Sequence, residues 1–461
     1  MDYIMAVLLA AGEGKRMKSK NSKVVHKICG KTLIEWVVDA AVSCGIKESV
    51  IVVGHRQDQV RDCLKDRVSY AVQEKQLGTG HAVMQAGEYL EGKDGHVIIL
   101  CGDTPLITGD TIDKTIKFHI ENKCSATVIT ADFEDPSGYG RIVRDEKGNV
   151  LKIVEDKDAS IKEKSIKEIN SGIYCFKIKE LLNSLKELSN DNVQGEYYLT
   201  DTLEIILGKG GKVGAVKISD PDEILGINDR VQLAKAGEII RKRILEMHMK
   251  AGVTLIDPKS TFIDHSVKIG MDTVIYPGSY IEAGSEIGED SIIGPNSRIV
   301  CSTIGNGTEI NNSVIIESTV GDNTHIGPFA YLRPGSKIGN NVKIGDFVEV
   351  KKSIIGDDTK VSHLTYIGDA EVGSNVNLGC GVVVVNYDGK NKNKTKIGDN
   401  AFVGCNVNLI SPVTVRDNAY VAAGSTITEE VPENSLAIAR SRQVNKEDWV
   451  TKKGMQRVKK K

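Results

Sequence analysis

The chain has 461 residues, too many for one compact core, so two or three domains are expected. Lys plus Arg number 60 against 62 Asp plus Glu, and the formal net charge of −2 excludes a whole-chain basic field for nucleic acid. Nine scattered cysteines without a close pair of metal-ligand spacing exclude a disulfide framework and a structural zinc site, and fit a reducing cytoplasm.

The first apolar run, residues 4–11, is too short to span a bilayer and lacks a basic flank before it, so no signal peptide or membrane insertion is expected. Residues 5–11 read as a buried strand, 33–43 as a helix, 50–53 as a strand, 80–89 as a helix and 97–100 as a strand. This alternation predicts a mostly parallel, Rossmann-like α/β sheet over residues 1–229, with ligands at the carboxyl ends of its strands.

Three loops at such ends carry candidate chemistry. Leu9-Ala10-Ala11-Gly12-Glu13-Gly14 has small residues that let backbone N–H groups approach a phosphate, with Arg16 and Lys23 as fixed positive charge; a plain turn is the alternative. Gln73 to Gly80 is a second Gly-rich loop, able to read a base edge or simply to open a helix. Asp103 follows the strand at 97–100, where a carboxylate either binds Mg²⁺ or caps the segment starting at Pro105.

Residues 230–252 hold no Pro and mix Ile, Leu and Met with Lys, Arg and Glu, which predicts one long connecting helix. Beyond it, residues 253–461 change period. Ile263, Ile269, Ile275, Ile281, Ile287, Ile293 and Ile299 return every six residues, then Ile304, Ile310, Ile316 and Val320 carry the ladder on towards Ile427. A helix needs a period of 3.6 and a flat sheet a period of two, so six predicts short strands joined by corners, a parallel β-helix with eighteen residues per turn. Its 28 ladder positions make roughly nine turns, a prism about 45 Å long. Glycines after many ladder residues are expected to supply the backbone conformations of the corners.

The ladder breaks once: thirteen residues separate Val384 from Ile397, so seven extra residues extrude as a loop carrying Lys390, Lys392 and Lys394. That loop suits a phosphate or is a solvated turn. His363 and Tyr366 sit off the ladder phase, and His363 is either a surface histidine or a base that titrates near neutrality. The tail Lys459-Lys460-Lys461 with Arg457 reads as a basic end.

Several motifs fall in a telling order: Leu9 to Gly12, Arg16-Met17, Lys23, Gln76 to Gly80, Gly102-Asp103, Tyr139-Gly140-Arg141, Val154-Glu155, Glu168 to Gly172 and Gln194 to Asp201. In that order they resemble the sugar-phosphate nucleotidyltransferases. With the ladder behind them, the whole chain resembles the bacterial bifunctional N-acetylglucosamine-1-phosphate uridyltransferases and glucosamine-1-phosphate N-acetyltransferases.

The resemblance implies a left-handed coil of hexapeptide repeats, a homotrimer, and the small-molecule substrates glucosamine-1-phosphate, acetyl-CoA and UTP, with Mg²⁺ as cofactor. It assigns Leu9, Ala10, Ala11, Gly12, Gln73, Gly78 and Thr79 to the nucleotide, Lys23 to its phosphates, Gly140, Glu155 and Asn170 to the sugar, and Asp103 and Asn228 to Mg²⁺, with Arg16 beside Lys23. In the coil it makes His363 the base, oriented by Asn386, and gives Arg333, Lys351, Tyr366, Asn377 and Lys392 to glucosamine-1-phosphate. Cys380, Asn386, Tyr387, Cys405, Ala423 and Arg440 would line the acetyl-CoA site. The chain departs from the family pattern at Lys15, usually Thr, at Ser22, usually Pro, at Cys101, usually aromatic, at Cys380, usually Ala, and at Cys405, usually Ser. Two rivals stand beside this reading: a uridyltransferase whose solenoid is only structural, and a non-catalytic scaffold subunit.

Overall fold

The computed structural model describes residues 3–455, so Arg457 and Lys459–Lys461 lie outside the described residues. The chain forms two compact units that divide between Arg243 and Ile244.

In the first unit a mixed sheet runs in the order Val213–Lys217, Ala126–Asp132, Glu168–Lys177, His96–Cys101, Ile4–Ala10, Glu48–Val53, Ser69–Val72. Every neighbour in this order is parallel except Glu168–Lys177, which runs antiparallel to the strands on both sides. Strand alternation sends Met5 and Val7 into one apolar cluster and Ala6 and Leu8 into another, so the sheet is covered on both faces. That double burial explains why the strands read as continuous apolar runs.

Local signals set the helices. Leu33–Ser43 starts at Thr32, whose hydroxyl accepts from the Glu35 N–H while Glu35 reaches back to the Thr32 N–H. The predicted helix at 80–89 is two, Thr79–Gln85 and Gly87–Leu90. The carboxyl ends of Ile4–Ala10, Glu48–Val53, Ser69–Val72 and His96–Cys101 lie side by side, which brings the three candidate loops to one edge of the sheet. The helix expected at 230–252 is present as Arg230–Lys250, and the division between the units falls inside it.

The second unit is a parallel β-helix whose three sides are sheets of eleven, ten and nine strands. Ile263 pairs with Ile281, Ile269 with Ile287 and Ile275 with Ile293, the eighteen-residue turn expected. Leu255 and Ala437 extend the ladder at its two ends, giving about ten turns rather than nine.

Two details of the coil differ from expectation. At the phase slip the core residue is Ile315, fully buried and paired with Ile299 and Leu332, while Ile316 is only half-buried. Adjacent isoleucines gave periodicity nothing to choose between. The glycines that follow ladder residues serve a close approach more than a special backbone conformation: a Cβ on Gly270 would lie 2.6 Å from the Glu289 nitrogen one turn on, and one on Gly404 2.6 Å from that of Ala423. The left-handed conformation falls instead largely on Asn and Asp, such as Asn323, Asn341, Asp358 and Asn375. Among the described residues, no helix is long and apolar enough to cross a membrane.

Candidate active sites

In the first unit a cleft of about 280 Å³ opens at the strand ends, lined by Leu9, Ala10, Ala11, Gly12, Lys23, Gln73, Gly78, Thr79, Cys101 and Asp103 among others. Lys23 spans its floor. Its Nζ forms an ion pair with Asp103 and donates to Asn228 Oδ1 at 3.1 Å, so residues 80 and 205 positions away meet on one ammonium.

The Gly-rich loop is held from behind. Gln73 Nε2 donates to Gly78 O at 3.1 Å, Thr79 Oγ1 accepts from the Leu199 N–H at 3.1 Å, and Gly80 N donates to Tyr197 O at 2.8 Å. Gly78 has φ of 107°, and a Cβ there would lie 2.5 Å from Tyr197 O, so no other residue fits. Arg16 sits in the short helical turn Lys15–Met17, exposed and electrostatically coupled to Tyr139 rather than lining the cleft.

A second group gathers beside Cys101. Asn170 N donates to Gly140 O at 2.8 Å, and Asn170 Oδ1 accepts from the Tyr174 hydroxyl at 2.9 Å and from the Gly172 N–H at 3.0 Å. The Asn170 carbonyl is thereby occupied and its amide NH₂ is left to face a ligand. Thr200 donates to Glu155 at 3.5 Å; burial pushes the Glu155 carboxyl up, and burial with Glu204 and Asp158 nearby pushes Asp201 up to about 6. Burial likewise pushes the Cys101 thiol up to about 12, leaving it a neutral, small wall.

Among the described residues, no three His, Cys, Asp or Glu side chains gather to hold a metal. Asp103 and Asn228 nevertheless offer two oxygens to one cation, here the Lys23 ammonium. Two hard oxygen donors, with phosphate and water to complete the shell, are the protein share that Mg²⁺ takes, so the residues present fit that ion.

In the coil, stacking sorts the candidates onto two edges. The ladder Ile344, Val361, Leu378, Val403 and Val421 is paired turn by turn, so the residues two positions on, Asp346, His363, Cys380, Cys405 and Ala423, form a column along one corner. His363 Nδ1 meets Asp346 Oδ1 at 2.5 Å, and that bond holds the Asp346 carboxyl below its usual range. The orienting group is therefore Asp346. Asn386, expected in that role, turns away and donates to Asp369 Oδ2 at 2.6 Å, because it projects from the next corner. Arg440 joins the column through Ala423 O at 2.9 Å.

That next corner collects the cations. Arg333, Lys351 and Gly368 stack, Arg333 donates to Glu349 at 2.8 Å, and Lys351 lies 3.7 Å from Asp369. A Cβ on Gly368 would lie 2.5 Å from the Tyr366 hydroxyl and 2.7 Å from Asn386 Nδ2, so the missing side chain makes room for both. Lys392 reaches in from the extruded loop, and the neighbouring Lys351 ammonium pushes the Lys392 ammonium below its ordinary proton affinity. Asn377 stands apart on the sheet that carries the column, between Lys360 and Phe402, and Tyr387 is exposed within the loop with its hydroxyl on Gly389 O.

Comparison with known proteins bears on both units. The nucleotidyl transferase family matches residues 5–221, and the bacterial transferase hexapeptide family, a model of six repeats, matches residues 266–301, 317–352 and 394–429. A protein named Bifunctional protein GlmU from Acetivibrio thermocellus is 68% identical over 460 residues, covering 100% of both chains. Those of the same name from Caldanaerobacter subterraneus subsp. tengcongensis and Clostridium botulinum are 60% and 58% identical, each covering 98% of this chain and 98% and 99% of their own. The chain belongs to the GlmU family. It is thus a bifunctional transferase, a nucleotidyltransferase domain followed by a left-handed hexapeptide coil.

The structure adds Asp346, Asp369, Gln76 and Glu196, which sequence reasoning missed, to these candidate sites. Gln76 and Glu196 stood inside quoted motifs. Asp346 was findable by counting, since it lies one turn before His363 in the ladder.

Proposed function

We propose that this chain makes UDP-N-acetylglucosamine in two steps at these two sites, acetyl transfer within residues 253–461 and uridylyl transfer within residues 1–229, with the helix at 230–252 between them. At the coil, the neutral amine of glucosamine-1-phosphate attacks the acetyl carbon of acetyl-CoA. The C–N bond forms, the thioester breaks and CoA leaves, while His363 Nε2 takes the amine proton and Asp346 holds the imidazole in position. Arg333, Lys351 and Lys392 bind the sugar phosphate, with Tyr366 and Asn377 on the sugar. Asn386, Tyr387, Cys380, Cys405, Ala423 and Arg440 receive acetyl-CoA.

At the first unit a phosphate oxygen of N-acetylglucosamine-1-phosphate attacks the α-phosphorus of UTP and pyrophosphate leaves. The protein aligns two anions and offsets their repulsion, so no covalent intermediate is needed. Leu9 to Gly12, Gln73, Gly78 and Thr79 hold the uridine nucleotide; Lys23 faces its phosphates, and Arg16, exposed on the turn Lys15–Met17, adds positive charge from outside the cleft; Gly140, Glu155 and Asn170 hold the sugar. Mg²⁺, held by Asp103 and Asn228, would neutralise phosphate charge there.

The working form is a homotrimer. On one coil the His363 corner and the Lys351 corner flank opposite ends of the strand Tyr366–Gly368, which supports a second copy setting base against phosphate. Phe329, Phe347 and Leu364 support this: each is more than half exposed, they stack in a column next to Asp346 and His363, and all three hold the left-handed backbone that bulky residues avoid. The unpaired cysteines support a reducing compartment, the cytoplasm, as the site of the reaction.

The observation that carries this reading is that one GlmU-family chain holds both an oxygen-donor cleft around Lys23 and a carboxylate-oriented imidazole heading a corner column. The test supplies glucosamine-1-phosphate, acetyl-CoA, UTP and Mg²⁺ and follows CoA and pyrophosphate together. Release of both, with pyrophosphate dependent on acetyl-CoA, is expected. Pyrophosphate release only from preformed N-acetylglucosamine-1-phosphate would leave a uridyltransferase on a structural coil, and release of neither would leave a scaffold.

A further inference from the structure

The acetyl-CoA corner holds two thiols on successive turns. Leu378 and Val403 are paired, Gly379 N donates to Val403 O at 2.8 Å, and Asn406 N donates to Cys380 O at 2.8 Å, so Cys380 and Cys405 stack directly. One turn of such a coil rises about 4.8 Å, inside the roughly 4.4–6.8 Å Cα separation that a disulfide spans. Cys405 is exposed and Cys380 half-buried, and the missing side chain of Gly379 lets the two turns approach closely, since a Cβ there would lie 2.6 Å from the Cys405 nitrogen. Cys124 and Cys175 are also neighbours, but both are buried in the first unit beyond an oxidant's reach.

We propose that Cys380 and Cys405 form a dithiol–disulfide couple that gates acetyl transfer; its effect on activity rests on the acetyltransferase reading above. The oxidant is an organic disulfide. The exposed Cys405 thiolate attacks one of its sulfurs, the S–S bond breaks, and one thiol leaves as the mixed disulfide forms. The Cys380 thiolate then attacks the Cys405 sulfur, the Cys380–Cys405 bond forms and the second thiol leaves. Two electrons pass to the reagent, and the two protons shed by the cysteines end on the two released thiols. The closed bond sits one turn beyond His363, across the edge where the acetyl thioester must lie, while the cleft around Lys23 is untouched.

The test treats the full-length protein with glutathione disulfide, maps peptides without reduction, and measures CoA and pyrophosphate release from each site's own substrates. The expected result is a peptide joining Cys380 to Cys405, a loss of about 2 Da from the chain, and acetyl transfer at least about tenfold below its reduced level, restored by dithiothreitol. Pyrophosphate release stays unchanged. In Cys380→Ala or Cys405→Ala, each compared with its own reduced activity, the treatment yields no linked peptide and no reversible tenfold loss.

A persistent glutathione adduct on Cys405 without a linked peptide would overturn the proposal. So would a linked peptide with acetyl transfer undiminished, or an equal oxidative loss in the double variant. Absence of CoA release from the untreated, reduced protein would instead defeat the acetyltransferase reading, and the peptide map would still report whether the couple forms.

Discussion

Gly345→Ala tests whether the alignment of Asp346 with His363 sets the rate of acetyl transfer. Gly345 precedes Asp346, and a methyl there would overlap Ser362 O and stand 2.7 Å from the Ser362 carbonyl carbon. Ordinary contact begins at 3.4 Å and the overlapping Ser362 O is backbone that cannot swing aside, so the two turns must part by more than about 1 Å at the residue next to His363. Such overpacking costs about 1–3 kcal/mol, too little to melt a coil with an unbroken ladder on either side. Catalysis is more sensitive, because a shift near 1 Å in a reacting group can cost about a hundredfold. Acetyl transfer should therefore fall about 10²-fold in kcat/KM, or about 2.7 kcal/mol, with pyrophosphate release from preformed N-acetylglucosamine-1-phosphate intact. Following CoA release and pyrophosphate release on the same preparation makes the comparison internal. A folded Gly345→Ala protein with acetyl transfer within twofold of the parent would refute the idea that this pair must be held in place.

Further outcomes follow from the same geometry. His363→Ala should lower acetyl transfer by about 10²–10⁴ and spare uridylyl transfer, Asp103→Ala should do the reverse, and parallel losses in either folded variant would sink the two-site assignment. Chelation by EDTA should stop pyrophosphate release while CoA release continues; an uncoupled pair of assays reads this directly. Ile287→Asp, at a position 4% exposed in the ladder, should destabilise the coil by more than about 4 kcal/mol, seen as a lowered or lost thermal transition. His119 is buried against His96 and Thr127, and burial first, then His96 and Lys177, depresses it from 6.5 to about 3. The unfolded chain therefore binds the extra proton, so this group's stabilisation is present above pH 6.5 and is lost as pH falls towards 3. His119→Gln should flatten the decline in urea midpoint between pH 7 and pH 5, and an unchanged slope would count against that account.

The chain's order of motifs and its period of six were enough to reach the family and to mark Lys23, Asp103 and His363 as candidates, because those features live in short runs of sequence. Double burial of the sheet and one-sided burial of the coil are both written in apolar spacing, which is a local property. What spacing left open was register. Ile315 and Ile316 are equally apolar, and only packing of the stacked turns chooses Ile315 for the core. Partner choice was closed to sequence for the same reason: Asp346 rather than Asn386 orients His363 because the turns place one on its own corner and the other on the next. The Lys23 ammonium likewise joins Asp103 and Asn228 across 80 and 205 residues, a meeting that depends on which strand ends lie side by side.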